Sequence, residues 1–332
     1  MSNIRAAVIG AGSFGRHHAR VIRALDSVEL VGIVDIDFEK AQQLAREYQC
    51  QAFPRATDVI GLIDAAIVAT PTITHEQVAS QLIESGIDVL VEKPIADTSS
   101  AAQRLAQLAQ ERGRILQAGH LERFNPAVLA LEQILTVPLF FEIHRLSVFT
   151  PRSLDIDVVL DLMIHDLDIV LSFTRELPHD IRAGGISVLS PRVDIANVRL
   201  SFASGCIANL TASRVSTEKI RKLRLFQPGE YISLDYQRQE AVRIFVRKNE
   251  PISAEIGFER QIGSERIPVS HAEPLRLELE SFFAAVRSRS QPRVDGFQAA
   301  AALGVAEAIL AKIKEHEHLV LETIQRRTKL IS

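Results

Sequence analysis

Residues 8–19, VIGAGSFGRHHA, constrain this chain more than any other stretch. An apolar run stops at Gly10, Gly12 and Gly15 and gives way to a helical pattern through RHHARVIRAL. In the spacing G-x-G-x-x-G, the first glycine makes a tight turn and the second lets the backbone approach a pyrophosphate. The third lets helix and strand pack closely. The helix aims its unpaired amides and positive dipole end at that turn, which suits phosphate. A second strand, VELVGIVDID (28–37), carries Asp35, 20 residues after Gly15, where a carboxylate meets a ribose hydroxyl. Because a carboxylate repels a 2′-phosphate, Asp35 favours NAD over NADP. Ser13 and Phe14, inside the glycine loop, join the cofactor-contact set.

The same rhythm continues through DAAIVAT (64–70), DVLVEKP (88–94) and RILQAGH (114–120), each separated from the next by a helical pattern. Strands apolar on both faces and alternating with helices define an α/β fold, a doubly wound parallel sheet of Rossmann type. After residue 121 the pattern changes. One helix follows NPAVLALEQIL, a strand is expected at LFFEIHRLS, and another helix runs over about 155–173. Strand-like runs then arrive without helices between them, turning at Ser204-Gly205 and at Pro228-Gly229. They predict a mostly antiparallel open sheet and an α+β domain. PLRLELESFFAAVRS and FQAAAALGVAEAILAKI close the chain as helices. With 332 residues there is room for two domains, read here as 1–121 for the dinucleotide and 122–332 for the substrate.

Composition narrows the partners. Thirty-eight basic and 41 acidic residues are well mixed, so no basic block offers itself to nucleic acid. Cys50 and Cys206 are the only cysteines, too few for a disulfide framework, so a reducing compartment is expected. The N-terminus enters a strand at once, and no apolar run approaches the roughly 18 residues that span a bilayer. A soluble, cytoplasmic protein with no membrane partner is the expectation.

Three further segments carry chemistry. VATPTITH (68–75) ends the third of these strands, and ligands of open α/β sheets bind at the carboxyl ends of strands. Thr70, Pro71 and His75 should therefore border the cofactor, and Thr72 or Thr74 offers a helix N-cap, a reading compatible with that one. LVEKPIA (90–96) sets Glu92 and Lys93 at that same edge, with Pro94 keeping Lys93 extended. Its ammonium would orient a substrate hydroxyl, or else simply end a strand at the surface. DLMIHDLDIV (161–170) spaces Asp161 and His165 about 40° apart on a helix, with Asp168 about 20° the other way. That stripe reads three ways: a metal set, a structural ion pair, or a proton acceptor with its orienting carboxylate. Asp168 and Ser172 are better supporting contacts than reacting groups.

Together these residues resemble the family of glucose-fructose oxidoreductase, inositol dehydrogenase and MocA. The marks are the glycine loop, E-K-P ending a strand at Glu92-Lys93-Pro94, and D-x-x-x-H at Asp161 and His165. ATPTITH matches the family's A-T-P-x-x-x-H pattern, and VDGFQAAAAL (294–303) its D-G-x-x-A-L helix start. The resemblance implies a dehydrogenase with Lys93 and His165 as the catalytic pair, Asp161 assisting, and Arg123 and Asn125 near the substrate or at the domain junction. It also implies association through a sheet face into homodimers or homotetramers. QAGHLERFNPAV and LDLMIHDLDIVL look most like members oxidising C3 of UDP-N-acetylglucosamine-type sugars. Many members have glycine where this chain has Met163, which loosens substrate assignment from distant ones. The rivals are a free-sugar or inositol dehydrogenase, a non-catalytic NAD-binding regulator, and a metal-assisted lyase or hydrolase using Asp161, His165 and Asp168. A regulator would need neither Lys93 nor His165.

Overall fold

A computed structural model describes residues 3–150, 156–247 and 262–331. The chain divides into two compact units, Met1–Phe124 with Ala272–Gly304, and Asn125–His271 with Val305–Ser332.

In the first unit, β1 (Ile4–Ile9), α1 (Ser13–Arg23), β2 (Val28–Val34), α2 (Phe38–Tyr48) and β3 (Gln51–Phe53) run outward from the middle of a sheet. The chain then crosses back through β4 (Ala65–Val68), α3 (His75–Glu84), β5 (Asp88–Glu92), α4 (Ser99–Glu111) and β6 (Leu116–Gly119). The strand order is β3-β2-β1-β4-β5-β6 and every pair is parallel. Strands such as Ala65–Val68 are wholly buried because helices cover both faces. Between β1 and β4 the winding reverses, which opens a crevice at the carboxyl ends of the strands. The short strand β3 falls outside the sequence pattern because three half-exposed residues carry no periodicity.

The second unit begins with α5 (Pro126–Glu132), capped by Asn125 with proline at its first position. β7 (Phe140–Val148) follows, then a π-helical turn (Val159–Met163) that runs into α6 (Ile164–Thr174). Seven strands come next: β8 (Asp180–Ile186), β9 (Ile195–Ser201), β10 (Ile207–Ser216), β11 (Ile220–Gln227), β12 (Glu230–Asp235), β13 (Glu240–Val246) and β14 (Ile262–Ile267). The sheet order is β14-β13-β12-β11-β7-β10-β9-β8, antiparallel except for β7 with β10. Alternation sets its inner face. Leu223 and Leu225 are buried while Arg224 between them is exposed, and Phe141, Ile143, Leu210 and Ile232 face Met163, Leu167 and Val170.

α7 (Pro274–Ser288) then returns to the first unit. A single second domain over 122–332 therefore does not describe the chain. Leu279, Phe282 and Phe283 of α7 join Ile22 and Leu90 in the first unit's core, which holds residues 272–304 there. α8 (Gly296–Ile331) contains a stretch, Gly296–Val320, long and apolar enough by composition to cross a bilayer, contrary to the sequence reading. Half of that stretch is buried, and Val305, Ala306, Ile309 and Ile313 lie in the second unit's core, so its apolar side is taken up in packing.

Candidate active site

The glycine loop is closed on its inner sides and open at its centre. Gly10 has φ +109°, and a Cβ there would lie 2.5 Å from the Ala69 carbonyl oxygen. A Cβ on Gly15 would fall 1.8 Å from the Gly10 oxygen, whereas one on Gly12 would meet nothing within 4 Å. No side chain caps α1 at Gly12, so the leading amides of the helix are left to the loop. Vacant space at Gly12 beside these amides fits the pyrophosphate of NAD. Asp35 shapes the loop as well: Oδ2 accepts from Ala11 N at 2.7 Å and Oδ1 from Asp37 N at 2.8 Å. Each carboxylate oxygen keeps a second lone pair, enough for a ribose hydroxyl. Ser13 and Phe14 are exposed at the mouth of α1.

Two residues escaped the sequence reading. Ile36, 96% exposed just after β2, and Ile73, 80% exposed in the short turn between β4 and α3, are further exposed apolar residues beyond strand ends, as Phe14 is in the first turn of α1. The available signal was an apolar residue directly beyond a strand end, where polar residues are usual; such surfaces suit the flat face of a base.

His75 has a different place from the one expected of a cofactor contact. It is buried, with Nδ1 2.8 Å from Pro94 O and Nε2 2.8 Å from Thr70 O, and so ties the loop after β4 to the loop after β5. Burial holds its pKa below the usual imidazole range, and a neutral ring donates to only one of the two carbonyls at a time. Thr70 and Pro71 are part of the same fastening: the Thr74 hydroxyl donates to Pro71 O at 2.7 Å and does not cap α3. Lys93 is half-buried directly after β5, and its peptide to Pro94 is cis. Glu92, expected at the cofactor, is turned to His18, whose Nε2 donates to Glu92 Oε1 at 2.6 Å.

In the second unit the stripe is not an α-helical one. Asp161 lies in the π turn and His165 in the first turn of α6, both half-buried. The wider turn changes their angular separation from the 40° expected of an α-helix. Asp168 is buried, and the Ser172 hydroxyl donates back to Ile169 O at 2.7 Å. Among the described residues no group of three or more His, Cys, Asp or Glu is gathered as a metal set. The first turn of α6 is anchored by a pair the sequence reading overlooked. Asp166 accepts two hydrogen bonds from Arg145, at 2.7 and 2.8 Å, and the guanidinium carbon lies 5.2 Å from the centroid of the Tyr236 ring. A signal existed: Phe141, Ile143 and Arg145 share one face of a strand with a buried side, so Arg145 points inward and needs a carboxylate. Asn125 spends its side chain on structure, with Oδ1 accepting from Ala127 N and Nδ2 donating to Tyr236 O. Arg123 is buried in the turn after β6, in the first unit.

A doubly wound sheet with an uncapped, glycine-lined helix start and a carboxylate just beyond the next strand defines a dinucleotide-binding domain. Residues 4–120 match the family model described as an oxidoreductase family with an NAD-binding Rossmann fold. The chain is 36% identical over 316 residues to UDP-N-acetylglucosamine 3-dehydrogenase of Acidithiobacillus ferrooxidans, covering 94% of this chain and 99% of that protein. A solved structure of the enzyme of that name from the same organism superposes with a TM-score of 0.88 at 33% identity, covering 95% and 99% of the two chains. Inositol 2-dehydrogenase of Rhizobium meliloti is 23% identical over 95% of this chain and 98% of its own. The chain belongs to the glucose-fructose oxidoreductase, inositol dehydrogenase and MocA family, and it is an NAD-dependent oxidoreductase.

Proposed function

We propose that this protein oxidises a secondary alcohol of a nucleotide-linked sugar, namely C3 of a UDP-N-acetylglucosamine-type substrate. The observation that carries this reading is the 36% identity, sustained over 94% of the chain, to an enzyme of that activity. NAD, when bound, accepts hydride from the carbon. The half-buried Lys93 ammonium holds the substrate hydroxyl and favours the negative charge that develops on its oxygen. His165 takes the hydroxyl proton, the usual task of an imidazole in alcohol oxidation, and Asp161 steadies the charged ring. A π turn at this point supports the reading, since such turns recur at functional sites where they re-aim side chains. Arg123 remains a candidate for the substrate diphosphate.

The protein also forms a homodimer or homotetramer on this reading. Phe140, Phe226, Tyr231 and Ile244 share the outer face of the second sheet, with Phe226 and Ile244 exposed. An apolar sheet face of this kind suits a second copy of itself. Two free cysteines fit the cytoplasm as its setting.

The test is a screen of UDP-sugars, free sugars and inositols with NAD, following absorbance of the reduced nicotinamide. Reduction with UDP-N-acetylglucosamine and none with free sugars or inositols is expected. Turnover of myo-inositol or a free hexose, with no response to any UDP-sugar, would move the protein to the inositol dehydrogenase branch. Replacing Lys93 or His165 with alanine should lower turnover about 10²–10⁴-fold, the usual worth of a positioned proton-transfer group.

A further inference from the structure

Three ionisable side chains of the first unit, His18, Glu92 and Glu278, lie largely away from water, and Glu92 directly precedes Lys93 in the chain. His18 on α1 is fully buried and bonded to Glu92, the last residue of β5 and the immediate neighbour of Lys93. Burial by itself would push the Glu92 carboxyl up. The hydrogen bond and field of His18, then the charge of Lys93, outweigh it and hold Glu92 below the usual carboxylate range. Gly119 on β6 leaves this carboxylate its room, for a Cβ there would lie 3.2 Å from Glu92 Oε2.

Glu278 on α7 is 1% exposed, and neither of its carboxyl oxygens has a hydrogen-bond partner among the described residues. Gln117 Nε2 donates to the backbone oxygen of Glu278, at 3.3 Å, and not to its carboxyl. A buried carboxylate without donors is far costlier than the neutral acid. Burial, with the negative charge of Glu92 added, pushes Glu278 well above the usual carboxylate range. Environments that drive two neighbouring carboxyls apart assign them different protonation states. The other buried titratable or charged groups on the elements around them are Asp88 of β5, His75 of α3, and His120, Glu122 and Arg123 at the turn after β6 that packs on α7.

We infer that His18 and Glu278 are positioning residues for Lys93: His18 pins Glu92, and Glu278 stands behind it as a neutral acid. The end of β5 is thereby held as one directed negative charge, tied by a hydrogen bond to the helix that receives the pyrophosphate. This rests on Lys93 acting on the substrate, as proposed above.

The experiment uses the full chain and three variants, His18→Leu, His18→Gln and Glu278→Gln. Replacement by leucine should lower kcat with UDP-N-acetylglucosamine about tenfold, the scale of one lost oriented hydrogen bond, while the Kd for NAD stays within about threefold. Glutamine at 18 keeps an N–H donor and should recover most of that loss. Glu278→Gln should raise Tm, by an amount that grows as pH rises above about 4.3, because there the unfolded chain ionises while the folded carboxyl keeps its proton. A gain that is absent, or that shrinks with rising pH, would mean an ionised Glu278 and overturn the inference. So would a His18→Leu protein with unchanged kcat, or one losing kcat and NAD affinity equally. Should His18→Leu not fold, the glutamine variant at 278 still decides. Full turnover in Lys93→Ala would instead sink the catalytic reading, and the pH dependence at Glu278 would stand apart from it.

Discussion

In the second unit Asp166 is buried against Arg145 with two short, parallel hydrogen bonds, whereas in the first unit the equally buried carboxyl of Glu278 has no hydrogen-bond partner among the described residues. Asp194 repeats the second unit's habit. Its Oδ2 accepts from the amides of Val188, Leu189 and Ser190 at 2.8, 2.6 and 2.9 Å, and Oδ1 from the Ser190 hydroxyl at 2.6 Å. Burial would raise the Asp194 carboxyl, yet these donors together hold it below its usual range. A saturated carboxylate fixes backbone: Asp194 shapes the loop before β9, and Asp166 anchors the start of α6 beside His165. An unsaturated one is set by its protonation instead. The difference separates buried charge that builds the fold from a buried acid whose proton is available to influence a neighbour.

The contrast breaks first at Arg145. Arg145→Met removes both hydrogen bonds that the buried Asp166 carboxylate accepts from the guanidinium, and denaturant unfolding should show a loss of about 3–5 kcal/mol. Adding Asp166→Leu should restore much of that, since an apolar pair of similar volume avoids the stranded charge. No recovery in the double variant would mean that the pair does more than satisfy itself. Asp194→Asn is the next largest, with about 1–3 kcal/mol lost at neutral pH as several donors lose their anionic acceptor. Its sign with pH is opposite to that at Glu278. A depressed carboxylate stabilises the fold above the unfolded value, about 3.9, and ceases to as pH falls through its folded value. The gap in Tm between wild type and Asp194→Asn should therefore close on acidification, and a gap that persists at low pH would contradict the assignment. Effects of that size or smaller come from the glycine loop. Gly15→Ala forces a Cβ into the Gly10 carbonyl and should cost about 1–3 kcal/mol by overpacking. Gly12→Ala meets only open space, so its Tm should match wild type while its Kd for NAD rises, as titration calorimetry would register.

Much of the first unit was legible because its signals are local. A turn, its three glycines and Asp35 lie within one stretch of chain, and each residue's task follows from backbone sterics or charge alone. The place of the E-K-P segment at the end of a strand was legible for the same reason. What stayed hidden depends on partners distant in sequence. His18 and Glu92 are 74 residues apart, and Arg145 and Asp166 are 21 apart on different elements. Nothing in a local window foretells which charge meets which. His75 looked like a cofactor contact because it sits in the right loop; its ring is buried between the carbonyls of Pro94 and Thr70. The second sheet was anticipated in kind, through alternation and turn residues, but its order was not, since β7 pairs in parallel with β10 across more than 60 residues.

From the sequence alone came the alternation of buried strands and helices and the glycine-lined phosphate seat with its preference for NAD. These follow from periods and spacings that act over a few residues, where sterics and hydrogen bonding are already decided. The tertiary structure alone decided that residues 272–304 return to the first unit, that a π turn interrupts the Asp161–His165 spacing, and which buried charges are neutralised. Those outcomes turn on how apolar faces far apart in the chain find one another, and the cost of burying an ionisable group is set only once its neighbours are in place.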